Sequence, residues 1–298
     1  MEAVLRSLRG DARGPIGLGC SRLGSLNGAG PEEARALVAL ALDLGVRVFD
    51  TAGIYGQGDS ERALGAALAG REDCVVCSKA GRAVPWAGRV LAPVKGALRG
   101  LAWRTGPVRR GVAALRRAPV PTRWDAAFLT RSLDASLRRL GRERIEVFLL
   151  HSPPVEVLTS GAALDALERA RAAGKAGLVG ASVDDAATGH AALDDARVRV
   201  LQLPLWSAAG DAAIDGVLRR AAAAGVIVLG RDVLGGVDAA ARARPGFAQG
   251  RIAAAIRRPG VSLPLIGTTS PRHLELAVRA ARVTLTGEQT FEEARPRE

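Results

Sequence analysis

The chain contains few tyrosines, histidines, cysteines and lysines. Its 298 residues include one tyrosine, one methionine, three histidines and three cysteines, and only three of its 42 basic residues are lysines. No apolar run approaches the roughly 18 residues that a membrane-spanning helix needs. The first residues, MEAVLRSLRGDARG, lack the apolar core of a secretory signal. We therefore expect a cytoplasmic protein without a transmembrane segment.

The three cysteines are too few, and odd in number, for a disulfide framework. Cys74 and Cys77 form a C-x-x-C motif, a spacing typical of redox and zinc sites. Their context, CVVCSK, has the pattern of a β-strand, in which residues three apart point to opposite faces. No second Cys or His pair follows at zinc spacing. We interpret the cysteines as buried structural residues and predict no metal site.

The net charge of +12 is concentrated in residues 81–124, which contain ten basic residues and no acidic one. The pattern PVRRGVAALRRAP predicts a helix with arginines on one side. This helix is either a solvated cover over the rest of the fold or an anion-binding lid. A lid would attract an anionic substrate, an acidic carrier protein or a membrane surface. Nucleic acid is disfavoured, because aromatic residues are sparse in the segment.

Eight β-like runs alternate with alanine-rich amphipathic stretches along the chain. The runs are 16–20, 47–50, 74–78, 145–151, 176–182, 199–204, 226–230 and 262–267. This alternation predicts an α/β protein, a (β/α)8 TIM barrel, as one domain over 1–298. Two connections interrupt it, a long basic insertion (81–124) after the third strand and an irregular stretch (231–250). The alternative, a doubly wound open sheet, expects a G-x-G-x-x-G turn that GLGCSRLGSLNG does not match.

Four ionisable residues of four types fall on one end of the predicted barrel. Asp50, Lys79 and His151 end the second, third and fourth strands, and Tyr55 follows the second strand. Each alone fits a cap, a turn or core packing, but four such residues on one face favour the catalytic end of a barrel. An ammonium stabilises the anion of a phenol, and a carboxylate orients the ammonium. A neutral imidazole polarises a carbonyl, so the set suits proton donation to oxygen as hydride reaches carbon, without a metal.

Several segments together resemble the aldo-keto reductase family: FDTAGIYGQGDSERALG, CSKAGR, SLDASLRRLGRERIEVFLLHSP, GLVGAS, LQLPLWS and PLIGTTSPRHLE. The resemblance implies an eight-stranded barrel that reduces carbonyls, or oxidises alcohols, with a nicotinamide cofactor. It assigns the family's catalytic roles to the same four residues, Tyr55, Lys79, Asp50 and His151. The glycines of IYGQGDSE also resemble the sugar-oxidising branch of the family, which hints at a sugar lactol as substrate.

The resemblance further implies a cofactor site. Its residues are Gly19, Cys20 and Ser21 in the first loop; Ser182, Gln202 and Trp206 at the nicotinamide; and Gly267, Thr268, Thr269, Ser270 and Arg272 at the adenosine phosphate. Four positions depart from the family pattern: Val183, His273, Leu276 and Ala277. We therefore predict NADP (as NADPH) with NAD as the alternative, and expect Arg272 or Arg231 to supply the missing positive charge.

The leading interpretation is an NADP-linked oxidoreductase that acts on a small carbonyl or alcohol. Two other classes remain open at this point. One is a cofactor-binding regulatory protein that keeps the barrel but does not turn over. The other is a Schiff-base aldolase that uses Lys79, since barrels also support that chemistry.

Overall fold

The computed structural model describes residues 2–10, 14–24, 28–83, 120–206, 211–235, 240 and 244–287. Eight strands in these ranges pair in parallel, in chain order, and the last pairs with the first to close a barrel. They are β1 (Gly17–Gly19), β2 (Val48–Asp50), β3 (Val75–Ala80), β4 (Ile145–His151), β5 (Ala176–Ser182), β6 (Val200–Pro204), β7 (Ile227–Arg231) and β8 (Leu263–Gly267). The predicted (β/α)8 barrel is confirmed, and the open sheet is excluded because no strand edge is left unpaired among these eight.

Helices surround the barrel within the same ranges. They are α1 (Glu2–Arg9), α2 (Pro31–Asp43), α3 (Asp59–Ala67), α4 (Ala126–Leu140), α5 (Val155–Ser160), α6 (Ala162–Ala172), α7 (Ala186–Ala192), α8 (Asp211–Ala223), α9 (Phe247–Arg257) and α10 (Pro271–Thr286). The sequence of α4 illustrates why they form. The Asp125 carboxylate accepts a hydrogen bond from Phe128 N at 2.9 Å and caps the helix, which ends at Gly141 with φ of 64°. Leucines at helical spacing face the core: Leu129, Leu133, Leu137 and Leu140.

Every second residue of a strand points into the barrel, and these side chains fill the barrel interior. Val48, Val75, Val147 and Val200 belong to this inner apolar cluster, which is separate from the larger core between strands and helices. Leu8 of α1 is fully buried in the inner cluster. Helix α1, which the sequence analysis did not predict, therefore closes the amino-terminal end of the barrel.

The cysteines are buried and unpaired, as predicted. Cys74 packs in the outer core and Cys77 in the inner cluster, so the C-x-x-C thiols point to opposite faces of β3. Burial raises the pKa of the Cys74 thiol to about 11 and that of Cys77 well above its ordinary value. Both thiols therefore stay protonated near neutral pH, which opposes redox or metal chemistry at the motif.

The two ends of the basic insertion pair with each other just above β3. Arg82 and Thr122 form an antiparallel bridge, Ala83 N donates to Pro121 O at 2.7 Å, and Arg123 N donates to Gly81 O at 2.7 Å. We call residues 81–83 and 120–124 the insertion stem. The predicted arginine-rich helix lies outside the described residues, as do 236–239 and 241–243 of the irregular connection. No helix in the described ranges is long and apolar enough to cross a membrane.

Candidate active site

Strand alternation brings the predicted catalytic residues to the carboxyl-terminal end of the barrel interior. Asp50, Lys79 and His151 each lie two positions after an inward-facing apolar residue, namely Val48, Cys77 and Leu149. A two-residue step returns to the same face of a strand. All three polar side chains are therefore buried inside the barrel, with exposures of 7%, 2% and 6% respectively.

Lys79 and Asp50 form a buried ion pair. Lys79 Nζ donates to Asp50 Oδ2 at 2.8 Å and to Thr51 O at 2.9 Å. Burial alone would lower the pKa of Lys79, but the attraction of Asp50 and Tyr55 raises it above its ordinary value. An amine held charged in this way is a poor nucleophile, which argues against the Schiff-base aldolase interpretation.

Tyr55 begins a tight 3-10 turn that ends at Gly58. Gly56 and Gly58 have φ of 56° and 90°, a conformation that glycine adopts without strain, and Gln57 between them has φ of 62°. The turn places the Tyr55 ring centroid 5.1 Å from Lys79 Nζ. The phenol ring of Tyr55, the one tyrosine of the chain, therefore lies against the fully buried ammonium of Lys79.

A second buried carboxylate supports this turn from below. The Glu61 side chain has no exposed surface and accepts hydrogen bonds from Ser78 Oγ and Arg139 Nε, each at 2.6 Å. A Cβ atom on Gly58 would lie 2.6 Å from Cδ of Arg139, so the turn rests directly on the arginine. Since Ser78 precedes Lys79, this network joins the Tyr55 turn to the lysine strand.

His151 meets the Tyr55 ring edge to face, with ring centroids 5.7 Å apart and an interplanar angle of 90°. Burial, followed by the positive charges of Lys79, Arg82 and Arg231, holds the pKa of His151 well below its ordinary value. The ring is therefore neutral near pH 7. Its Nδ1 atom is buried without a hydrogen-bond partner in the described part of the chain. Buried polar atoms are nearly always paired, so this atom indicates a partner supplied by a ligand or by water.

A hydrogen-bond chain leads from β5 to the Asp50 carboxylate. Ser182 Oγ donates to Gln202 Oε1 at 2.7 Å, and Gln202 Nε2 donates to Asp50 Oδ1 at 2.8 Å. His151 pairs with Ser182, and Ser182 with Gln202, at the same level of the sheet. One amide hydrogen of Gln202 and the lone pairs of Ser182 remain for a ligand.

These side chains surround a cavity of ≈ 250 Å³. Its described lining comprises Gly19, Ser21, Asp50, Tyr55, Arg82, His151, Ser152, Ser182, Asp184, Gln202, Arg231, Asp232, Leu265 and Gly267. Nine of the predicted site residues are among them, three catalytic and six for the cofactor. Lys79 lies behind the wall, with its charge directed at Asp50 and Tyr55.

Residues 15–245 match the sequence model of the Aldo/keto reductase family, which is most of the chain. The chain belongs to the aldo-keto reductases. This membership confirms the resemblance inferred from the motifs, and the matched range contains all four predicted catalytic residues.

Two characterised relatives match part of the chain. D-threo-aldose 1-dehydrogenase of a Pseudomonas species is 35% identical over 190 residues, which are 58% of this chain and 51% of that protein. 6-Dehydroglucose reductase of Novosphingobium aromaticivorans is 30% identical over 156 residues, which are 49% of this chain and 40% of that protein. The chain thus spans about half the length, or less, of the curated relatives it matches.

Solved structures of the family share the whole barrel. A crystal structure assigned as an aldo-keto reductase of Pseudomonas aeruginosa has a TM-score of 0.71 and 26% identity, covering 93% of this chain and 94% of that chain. An aldo-keto reductase of Klebsiella pneumoniae, determined in complex with NADPH, has a TM-score of 0.64 and 24% identity, covering 89% and 84%. The second likeness shows the fold alone.

Several residues that the family resemblance assigned to the cofactor do not line the cavity in this aldo-keto reductase. Cys20 is fully buried, and its Sγ donates to Leu18 O. Trp206 donates from Nε1 to Val233 O at 2.8 Å, and the Arg251 guanidinium lies 3.7 Å from its ring. One aromatic face is therefore already covered, and the stacking role of Trp206 stays a prediction.

The adenosine-phosphate residues lie at the start of α10, beside the end of β8. Ser270 caps the helix, because its Oγ accepts from His273 N at 3.4 Å, and Thr268 Oγ1 accepts from Ser270 N at 3.0 Å. Arg272 is exposed in the first turn. A helix amino terminus with an exposed arginine suits a phosphate group. The roles of Thr268, Thr269, Ser270 and Arg272 stay predictions.

Arg231 has a different setting from the one expected. It lines the cavity, but its guanidinium already donates to Val183 O at 2.8 Å and to the carboxylates of Asp184 and Asp232. Two carboxylates neutralise its charge, so it is less suited than Arg272 to bind a phosphate. The sequence analysis did not single out four of the lining residues as site residues: Arg82, Ser152, Asp184 and Asp232. Each follows a strand end by one or two positions, and this position is the signal that could have identified them.

Proposed function

We propose that this chain is an NADP-linked oxidoreductase that interconverts an aldehyde or ketone with the corresponding alcohol, with Tyr55 as the proton donor. One observation carries the proposal. The Tyr55 ring lies 5.1 Å from an ammonium that Asp50 keeps charged and 5.7 Å from the ring of a neutral histidine, at the wall of one cavity. Family membership and the named relatives, a dehydrogenase and a reductase, support the same reaction class.

The protein's own residues divide the proton chemistry among them. Tyr55 donates its hydroxyl proton to the substrate oxygen, and the Lys79 ammonium stabilises the phenolate that remains. Asp50 keeps Lys79 charged and fixed in place. Neutral His151 holds the substrate carbonyl by a hydrogen bond without competing for the proton. In alcohol oxidation the same groups act in reverse.

The residues present suit a nicotinamide cofactor. When bound, it supplies or accepts the hydride. Ser182 and Gln202 retain unused hydrogen-bonding capacity for a carboxamide, whereas Val183 adds none because its side chain is a buried hydrocarbon. Gly19 and Gly267 place no side chain in the cavity. Thr268, Ser270 and Arg272 would hold a phosphate at the start of α10, which supports NADP over NAD.

The substrate is expected to be a small polar molecule. The relatives are named for an aldose and for a dehydroglucose, and most of the residues that line the cavity have polar side chains. An anionic or carrier-bound substrate is the alternative, suggested by the basic composition of residues 81–124.

Steady consumption of NADPH tests the proposal. Purified protein is incubated with NADPH, or with NADH, and a panel of aldehydes, ketones and aldoses, while cofactor binding is measured separately by fluorescence. We expect tight NADPH binding and turnover of at least one class of probe. NADPH binding without turnover of any probe would favour the regulatory interpretation. Trapping of a substrate on Lys79 by borohydride would favour the aldolase.

A further inference from the structure

An arginine and an aspartate face each other across the cavity mouth without a hydrogen bond. Arg82 lies three residues after Lys79, and Asp184 lies two residues after Ser182, so strands β3 and β5 bring them together. Both line the cavity that holds Tyr55 and His151. Arg82 Nη2 and Asp184 Oδ2 are 3.7 Å apart, beyond the usual length of a hydrogen bond.

The Arg82 guanidinium has no other described partner. Its side chain is 36% exposed, and within the described ranges its one charged contact is the one to Asp184. Arg231, at the same rim, differs because it is saturated by Val183 O and two carboxylates. Arg82 is therefore the guanidinium at this mouth with donors left for a substrate.

Neighbouring residues hold the Arg82 backbone and the Asp184 side chain in place. The Arg82 backbone is fixed in the insertion stem by its bridge to Thr122. Gly81 fixes the entry to that stem, because a Cβ there would lie 2.1 Å from the Trp124 ring. Asp184 is held through Oδ1, which accepts from Arg231 Nη2, and this leaves Oδ2 toward Arg82.

We propose that Arg82 and Asp184 form a hydroxyl-binding pair that selects a polyhydroxylated carbonyl compound, a sugar or its lactol. A hydroxyl group both donates and accepts, so it can accept from Arg82 and donate to Asp184 at once. A gap of 3.7 Å leaves the two groups apart but within reach of one bridging oxygen. Hydrogen bonds to charged partners are the stronger kind. This inference rests on the proposed function and names its substrate class.

The composition of the mouth supports a neutral polar substrate. Leu265 is the one aliphatic side chain in the described lining, and most of the other lining residues carry a polar or charged group. The two arginines of the rim, Arg82 and Arg231, are balanced by Asp184 and Asp232. An anion would gain from Arg82 but be repelled by Asp184, whereas a hydroxyl gains from both.

Steady-state kinetics on three probes tests the pair. The probes are erythrose as the polyol, propanal as a small aldehyde without hydroxyls, and succinate semialdehyde as an anion. The variants are Arg82→Gln and Asp184→Asn. Arg123→Gln is the matched control, because Arg123 lies in the same stem, pairs with Asp125 and does not line the cavity. Melting temperatures of all variants are compared with the wild type.

We expect the ratio of kcat/KM for erythrose to that for propanal to fall about tenfold in both cavity variants, mainly through KM. The ratio should stay within about twofold of wild type in Arg123→Gln. If Arg82→Gln and Asp184→Asn leave the ratio unchanged, the pair does not bind hydroxyls. If Asp184→Asn raises kcat/KM for succinate semialdehyde while Arg82→Gln lowers it, and the erythrose ratio holds, the site selects anions. Turnover of another carbonyl from the panel but not of erythrose would overturn the hydroxyl-binding pair alone, whereas absence of turnover across the whole panel would overturn the proposed function as well.

Discussion

Lys79 and Asp50 form an ion pair inside the barrel, with Nζ 2.8 Å from Oδ2 and no exposed surface on the lysine side chain. Lys79 is one of three lysines in the chain, and it lies in the barrel interior, where an unpaired charge would be strongly disfavoured. A buried pair is costly to break, because removal of one partner leaves the other charge without compensation. The pair therefore keeps a positive charge against the Tyr55 ring.

The Lys79→Met variant should lose both stability and activity. Loss of the ammonium leaves the Asp50 carboxylate buried with one donor, Gln202, and we expect the free energy of unfolding to fall by about 3 kcal/mol. The double variant Lys79→Met/Asp50→Asn should recover much of that stability but none of the activity. Urea denaturation and NADPH consumption measure the two effects. Recovery of turnover in the double variant would show that the ammonium has no chemical role.

His151 should make the fold less stable in mild acid. Its folded pKa is depressed, chiefly by burial, while in the unfolded chain it is about 6.5. Below about pH 6.5 the unfolded chain binds a proton that the folded chain does not, so stability falls as pH falls, by roughly 1.4 kcal/mol per pH unit. The window extends from about pH 6.5 down to the depressed folded value.

The His151→Gln variant should lack the loss of stability in mild acid that His151 causes. Unfolding free energies of both proteins at pH 5, 6 and 7 give the slopes, and other titrating groups cancel in the comparison. We expect the slope of the unfolding free energy against pH to be shallower in the variant, by an amount that corresponds to about one bound proton per molecule near pH 5. Parallel curves would mean that His151 is not held neutral by the fold.

The sequence was sufficient to predict the barrel and to place four ionisable residues together at its carboxyl-terminal end, while their catalytic roles stay predictions. Strand patterns placed Asp50, Lys79 and His151 at strand ends, and parallel strands in a barrel bring those ends together. The sequence was not sufficient for the contacts between distant segments. Glu61 and Arg139 look like surface charges of two helices, and their pairing depends on how α3 and α4 pack against the Tyr55 turn.

The mouth of the barrel was equally hard to predict. Arg82 looked like one of ten arginines and lysines in a solvated segment, and Asp184 looked like a loop residue. Their relation depends on the pairing of the insertion stem and on Arg231, which takes up one oxygen of Asp184. Nothing in local composition distinguishes an arginine that is saturated from one that keeps free donors.

Arg139 should position Tyr55 without touching the substrate. In the Arg139→Lys variant the charge opposite Glu61 is kept, but the flat guanidinium under Gly58 is lost, so the turn shifts. We expect kcat to fall roughly tenfold or more, with NADPH affinity unchanged. The exposed neighbour Arg138, changed to Lys, is the control. A lower melting temperature with unchanged kcat would assign Arg139 a purely structural role.

Arg272 should contribute to the preference for NADP over NAD. A charge-assisted contact to the 2′-phosphate is worth about 1.5–3 kcal/mol, or roughly 10- to 150-fold in affinity. The Arg272→Ala variant should lose that factor for NADPH and keep its affinity for NADH. Fluorescence titration of both cofactors measures it. Equal affinity of the wild type for the two cofactors would contradict the assignment.

Single-turnover oxidation of bound NADPH by the Tyr55→Phe variant tests the central claim most directly. The substitution removes one oxygen atom and leaves the ring, which meets His151 at 5.7 Å between centroids. With an aldehyde that the wild type reduces, we expect the rate to fall by at least about 100-fold, while NADPH affinity and melting temperature stay near wild type. A rate within a few-fold of wild type would show that Tyr55 is not the proton donor.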